Sequence, residues 1–465
     1  MKHHAKLTTG SIPRTLFTFA LPILLGNVMQ SVNGSINAIW IGKYLGPAAL
    51  TGANNGNIVV FLLFGAVFGL TMAATIMIGR AVGAGETAEA KRVVGSSATF
   101  FFAVSLLLAV LGFLLAPSIL HWMGTPEDAR AYGIDYLRVL FLALPASNAF
   151  FFVSAALRGA GDSRTPFRFL AVSVVLDIVL NPLFIFGWGP VPALGIAGSA
   201  TATLVAQCVA LGLLMRHVYG VKHPLALHAD ERQLLRIDRG IVRTLVGKGI
   251  PMGLQMMVLS TSAVLFLGIV NGFGSTTAAA FAADMQLWNY VQMPALALGA
   301  AVSSMAAQNI GAGHWDRVGT IAKVGVLFNF LLTGGLVVLL YLAERRVVGV
   351  FLPAGSPAVD IAVHVNHIIL WSFPLFGVSM VLSGVVRAAG AVIAPLVVLA
   401  LALLVVRTPL AWYSVDHWGA DGVWWSFSIS AIVAALLSTA YYLHGSWRKA
   451  RMGPTSTPSA GAASA

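Results

Sequence analysis

Hydrophobic positions run along this chain in long blocks, with no alternation at the two-residue period of a strand. Apolar runs of roughly 20 residues or more, each long enough to cross about 30 Å of hydrocarbon as a helix, recur from end to end. Twelve are read at about 15–39, 48–77, 93–116, 134–157, 167–188, 195–218, 249–271, 277–305, 320–343, 358–384, 393–414 and 420–444. The fifth run, 167–188, is almost wholly apolar, yet it contains "LDIVLNPLFIFG", with Asp177 at its middle and Asn181 one helical turn on. The run after Arg14 is too long for a cleavable leader and contains Pro22, so it is expected to be a structural span. The pattern predicts an all-α integral membrane protein.

Composition agrees. Of 465 residues 58% are hydrophobic and only 9% charged, and the mean hydropathy of +0.85 excludes a soluble globular chain. The net charge of +12 raises the question of nucleic acid, but the basic residues are scattered over short loops, so no nucleic-acid partner is expected. Placing both termini in the cytoplasm puts about 22 of the 28 Lys and Arg on the inside, including Arg216, Lys222, Arg232, Arg236, Arg239, Arg243 and Lys248 of the central loop. That asymmetry fits an even span count and a bacterial-type cytoplasmic (inner) membrane. Cys208 is the one cysteine, which rules out an intrachain disulfide or a multi-thiolate metal site. The small, polar residues 453–465 are expected to be disordered.

An offset of about 229 residues lays the second half of the chain on the first. Pro22 meets Pro251 and Pro145 meets Pro374, while "IGRAVGAG" meets "AQNIGAG" and "LRGAGDSRTP" meets "VRAAGAVIAP". Six spans per half send both halves into the membrane from the same side, giving a parallel repeat. The expected organisation is a cytoplasmic N-terminus (1–14), an N-terminal lobe (15–218), a cytoplasmic connecting loop (219–248), a C-terminal lobe (249–444) and a cytoplasmic tail (445–465). Two pseudo-symmetric lobes suit alternating access. Gly83, Gly85, Gly311 and Gly313 read as helix-ending turns, because no phosphate-binding Gly-Lys-Ser/Thr motif accompanies them. An ion gradient is the expected energy source. No cofactor is expected beyond the transported H⁺ or Na⁺, and no catalytic residues are found.

The landmarks together resemble the multidrug and toxic compound extrusion (MATE) family of the multidrug/oligosaccharidyl-lipid/polysaccharide flippase superfamily. The likeness is carried by "LPILLGNVMQSVNGSINAIWIGKYLG", "GRAVGAG", "LRGAGDSRTP", "DIVLNPLFIFG", "MPALALGAAVSSMAAQNIGAG" and "RTPLAWY", and covers about Arg14 to His444. Within the family the pattern is similar to the DinF-like branch. The resemblance implies a V-shaped pair of six-helix lobes and an antiporter in which inward H⁺ or Na⁺ drives export of organic, often cationic and amphipathic, compounds from an acidic site in the N-terminal lobe. The branch usually shows Asn, three residues, then Asp in the fifth span, and an Asp in the first. Here the order is Asp177 then Asn181, and Asn37 stands at the first-span position. The acidic pair has become one carboxylate.

Asp177 lies about 15 Å into its span, near the membrane midplane, where an Asp costs roughly 2.5–3.5 kcal/mol unless it faces protein or water. Asn181 shares its face. Gln30, Asn33 and Asn37 of the first span fall within about 60° of one another on a helical wheel, and Thr201 and Thr203 of the sixth span offer hydroxyls. One carboxylate with amide and hydroxyl oxygens suits either Na⁺ or a proton. Asp177, Asn181 and Asn37 are the expected ion-coupling residues. Gln30, Asn33, Thr201, Thr203, Asp284 and Met256 are the expected lining of the substrate cavity. Asp284 and Arg407, the mid-span charges read in the C-terminal lobe, match in depth and are expected to form a structural ion pair, with cation binding by Asp284 as the alternative. His364 and His367 have helical ligand spacing but no third ligand, so no metal is expected. The expected partners are small organic molecules and membrane lipids, with the protein working as a monomer. The alternative functions are a lipid-linked precursor flippase, which calls for a more cationic cavity, and a membrane-embedded enzyme, for which no HExxH or GxSxG motif is found.

Overall fold

The computed structural model describes residues 7–452, apart from Val191 and Ala354; the tail expected to be disordered lies outside the described residues. Among the described residues twelve helices are long and apolar enough to cross a membrane: α1 (Ile12–Leu45), α2 (Pro47–Gly83), α3 (Thr87–Trp122), α4 (Glu127–Gly159), α5 (Arg164–Phe186), α6 (Ile196–Gly220), α7 (Arg239–Asn271), α8 (Ser275–Gly311), α9 (Trp315–Val348), α10 (Pro357–Ala388), α11 (Ile393–His417) and α12 (Gly419–His444). All twelve apolar runs are helices. Most extend past the apolar run at one end or both, as α7 does by starting at Arg239.

The internal repeat is visible in the helix punctuation. α2 and α8 are each 37 residues long, and each is followed two residues later by a glycine at positive φ, Gly85 (78°) and Gly313 (76°). The left-handed turn lets Gly85 N–H reach the Val82 carbonyl and Gly313 N–H the Ile310 carbonyl, so the last turn closes on itself. Pro22 and Pro251 sit inside α1 and α7 at equivalent places.

Two compact units result, and they do not follow the linear halves. One comprises Leu25–Ile250; the other comprises residues 7–24 with Pro251–Arg451, so α1 and α7 each divide close to their proline. In the first unit α2 packs on α3 and α4, and α6 lies against α4 and α5. In the second, α8 and α10 form the interior, each 78% buried along its most apolar stretch, whereas α9 is 17% buried and turns Leu331, Leu339 and Leu342 outward. Lipid is as apolar as leucine, so such a helix needs no protein cover on that face.

Two helices depart from regular geometry. α10 tightens into a 3-10 turn at Leu370–Ser372, just before Pro374, whose missing N–H breaks the ladder. α11 widens into a π-helical stretch at Leu401–Arg407, ahead of Pro409. The Thr408 hydroxyl donates to the Leu403 carbonyl at 3.0 Å, taking up a backbone acceptor beside the proline.

The connecting loop is fastened to α3. Its 3-10 helix, Ala229–Leu235, is held by the Lys91–Glu231 ion pair at 2.7 Å, and Arg92 pairs with Asp238. The other oxygen of Asp238 accepts the Gly240 and Ile241 N–H groups at 2.8 and 3.1 Å, capping the start of α7. Donation from the His228 N–H and the Lys91 ammonium holds the Glu231 carboxyl below its ordinary range. Arg92, with the Ile241 N–H, does the same for Asp238.

Candidate functional site

The acidic group of the first unit is built where α1, α5 and α6 meet. Asp177 is 2% exposed and Asn181 fully buried. Asp177 Oδ2 accepts from Asn33 Nδ2 at 2.7 Å and from Asn37 Nδ2 at 2.9 Å, while Oδ1 accepts from the Thr203 hydroxyl at 3.0 Å. Asn181 Nδ2 donates in turn to Asn37 Oδ1 at 2.9 Å. Four side chains expected from the sequence thus join Asp177 in one network. Each hydrogen bond to a charged group contributes about 1.5–3 kcal/mol, so three of them exceed the insertion cost of a central carboxylate.

The network orders the amides. Asn37 gives its N–H to Asp177 and its carbonyl oxygen to Asn181, which fixes which way the Asn37 amide faces. Asn33 Oδ1 and Asn181 Oδ1 are buried with no donor among the described residues. The group therefore offers one carboxylate and two neutral amide oxygens with unused lone pairs, a donor set suited to a small hard cation or to a proton on the carboxylate. Tyr136, 5% exposed on α4, donates to Asn57 Oδ1 at 3.3 Å and packs in one cluster with Ile41 of α1 and Ala200 of α6. The sequence reading missed it, since nothing along α4 marks this tyrosine from its neighbours.

Other expected members stand elsewhere. The Thr201 hydroxyl donates to the Ala197 carbonyl of its own helix at 2.7 Å, and Gln30 makes no hydrogen bond among the described residues. Met256 belongs to the second unit, where its backbone carbonyl accepts from Ser260, and it is no part of the Asp177 network.

The expected Asp284–Arg407 ion pair is not formed. Asp284 is fully buried on α8, and its Oδ1 accepts from Asn366 Nδ2 of α10 at 2.7 Å; Asn366 Oδ1 accepts from Trp288 Nε1 at 2.9 Å. Asp284 Oδ2 has no partner among the described residues. Arg407, 7% exposed, donates from Nε to the Ser430 hydroxyl of α12 at 2.8 Å, and its guanidinium carbon lies 3.8 Å from the centre of the Phe427 ring. Matching depth did not imply facing. Asp284 turns toward α10 and Arg407 toward α12. Asp284 is likewise outside the Asp177 network. A further buried cation was missed: Arg387, 8% exposed near the end of α10, donates from Nη1 to Gln255 Oε1 at 2.9 Å. His364 and His367 pair with separate carboxylates, Asp421 at 2.8 Å and Glu344 at 3.1 Å.

The pattern of the MatE family matches residues 22–183 and 251–413, one stretch in each half of the repeat. The chain belongs to the MATE family. This MATE transporter is 36% identical over 439 residues to the probable multidrug resistance protein YoeA of Bacillus subtilis, covering 94% of this chain and 95% of that one. It is 31% identical over 445 residues to the probable multidrug resistance protein YpnP of the same organism, covering 96% and 98%. The crystal structure of MATE in complex with MaD3S superposes with a TM-score of 0.87 at 20% identity, covering 96% of this chain and 98% of that one, and so shares the fold. The protein is a multi-pass membrane transporter and not an enzyme.

Proposed function

We propose that this MATE transporter exports amphipathic organic compounds, many of them cationic, by alternating access, driven by inward H⁺ or Na⁺ that binds at Asp177. The names of its relatives as multidrug resistance proteins support the exported class. The observation that carries the coupling role is the buried Asp177 carboxylate, held by Asn33, Asn37 and Thr203 and backed by Asn181. It is the one acid in the middle of a span of the first unit. A charge at that depth is retained where it does work, and binding a cation or proton there neutralises it and alters what the three donors face.

The excess of Lys and Arg in the 219–248 loop and the other segments on the side of the termini supports a cytoplasmic membrane location with both termini inside. The protein acts as a monomer on small organic substrates in contact with lipid. A lipid-linked precursor flippase gains some support from Arg387 and Arg407, two buried cations of the second unit, but each is engaged by a separate neutral side chain on a different helix.

The test is transport of a fluorescent organic cation by the purified protein in liposomes, with proton and Na⁺ gradients imposed separately. Uptake driven by one gradient names the ion. Uptake driven by neither removes ion coupling.

A further inference from the structure

Arg407 is a permanently charged side chain in the interior of the second unit, and none of the described carboxylates pairs with it. Arginine keeps its proton at any physiological pH, so this charge cannot be relieved by neutralisation. Asp284, the acid at matching depth, is committed to Asn366, and the remaining contacts of the Arg407 guanidinium are neutral. Phe427 covers one face of the group and Ser430 takes Nε. The edge carrying Nη1 and Nη2 has no hydrogen-bond acceptor among the described residues, and it is with such an edge that arginine grips a carboxylate or phosphate through two parallel bonds.

The backbone delivers the group to this position at a cost. The π-helical stretch Leu401–Arg407 ends on Arg407 itself, and Pro409 follows two residues later. Such widened turns are uncommon and concentrate at functional sites. The packing around the guanidinium is aromatic: the Phe427 ring, itself only partly buried, is tilted against the buried rings of Trp288 at 5.4 Å and Phe373 at 5.9 Å between centroids. A partly buried aromatic ring beside a fixed, half-used guanidinium matches a ligand with an aromatic body and an oxyanion.

We propose that Arg407 is a specificity-determining residue that docks the oxyanion of amphipathic aromatic substrates, with Ser430 and Phe427 holding the guanidinium in place. The exported compounds then include organic anions and zwitterions as well as cations. This inference rests on the reading of the protein as an exporter.

The probes are pyrenebutyrate and its neutral counterpart pyrenebutyramide, which share body and shape and differ in the oxyanion. Equilibrium dialysis against the purified protein in detergent is expected to show about tenfold tighter binding of the carboxylate. Arg407→Gln brings carboxylate affinity down to that of the amide, and Arg407→Lys, which keeps the charge but loses the fork, retains a smaller preference. Ser430→Ala weakens the preference while leaving the charge in place. Should Arg407→Gln fail to fold, the Lys and Ser430 variants carry the test. Equal binding of the two probes by the unaltered protein, or a preference that survives in Arg407→Gln, overturns the inference. Parallel transport in liposomes separates the two readings: export of both probes without preference, or of neither by protein that still exports the fluorescent cation, sinks the role of Arg407 alone, whereas failure to export that cation as well sinks the exporter reading.

Discussion

Replacing Gly198 by alanine tests whether the Asp177 network depends on the close approach of α5 and α6. A Cβ on Gly198 would stand 2.3 Å from the Phe184 carbonyl oxygen and 2.8 Å from Ile185 N, both backbone atoms of α5 that no rotamer change can move. Contacts of this kind do not occur below 3.0 Å, so the helices must separate locally by about 0.7 Å. Gly198 lies five residues before Thr203 on α6, about 7.5 Å along the axis, and Phe184 lies one turn beyond Asn181 on α5. Separation there stretches the 3.0 Å bond from Thr203 to Asp177 past hydrogen-bonding range. Overpacking costs about 1–3 kcal/mol and loss of a hydrogen bond to a charged group about 1.5–3 kcal/mol, together roughly 2.5–6 kcal/mol. For a unit of this size that corresponds to a fall of roughly 10 °C in thermal stability, read by fluorescence-detected unfolding in detergent. Export falls with it. Gly212→Ala on the same helix, where a Cβ meets nothing within 4 Å, is the control and should be neutral or stabilising by up to about 1 kcal/mol. If Gly198→Ala matches the control in stability and export, the contact between α5 and α6 does not shape the site.

Because Asp284 and Arg407 have separate partners, Asp284→Asn and Arg407→Gln should be additive in stability within about 0.5 kcal/mol, and a double-mutant cycle showing strong coupling would contradict the arrangement. The connecting loop should loosen in acid: Glu231 and Asp238 are held below the ordinary carboxylate range, so their contribution is present above that range and disappears as pH falls through their lowered values. Hydrogen exchange over residues 229–238 should therefore quicken below about pH 4, and Glu231→Gln with Asp238→Asn should show the fast exchange already at neutral pH. The double change Asp177→Asn with Asn181→Asp moves the acid one turn along the same face and should restore part of the export lost in Asp177→Asn alone, measured in the same liposomes.

Much of this was legible in the chain. The spans followed from run length, the repeat from glycine and proline punctuation, and the Asp177 network from face periodicity, since Asn33 with Asn37 and Asp177 with Asn181 lie four residues apart on single helices. What a lone helix cannot show is how far its neighbour is rotated about its own axis. Asp284 and Arg407 matched in depth, yet Asn366 and Ser430 intervene as partners on helices whose rotation was unknown. Thr201 looked as available as Thr203, but its hydroxyl turns back to Ala197, an option open to any serine or threonine inside a helix. Arg387 lies near a helix end, where a basic residue is ordinary, and nothing along the chain marks its burial against Gln255. The division of α1 and α7 between units has no signature beyond Pro22 and Pro251.

The central claim is that one carboxylate carries the coupling charge of the first unit. Asp177→Asn preserves size and keeps one oxygen to accept from Asn33 and Asn37, with its NH2 facing the rotatable Thr203 hydroxyl, but removes that charge, so the purified variant should reconstitute normally and still bind the fluorescent cation. Its transport under an imposed proton or Na⁺ gradient should fall to the level of empty liposomes. Full gradient-driven export by Asp177→Asn would show that Asp177 only packs the helices and that coupling resides elsewhere.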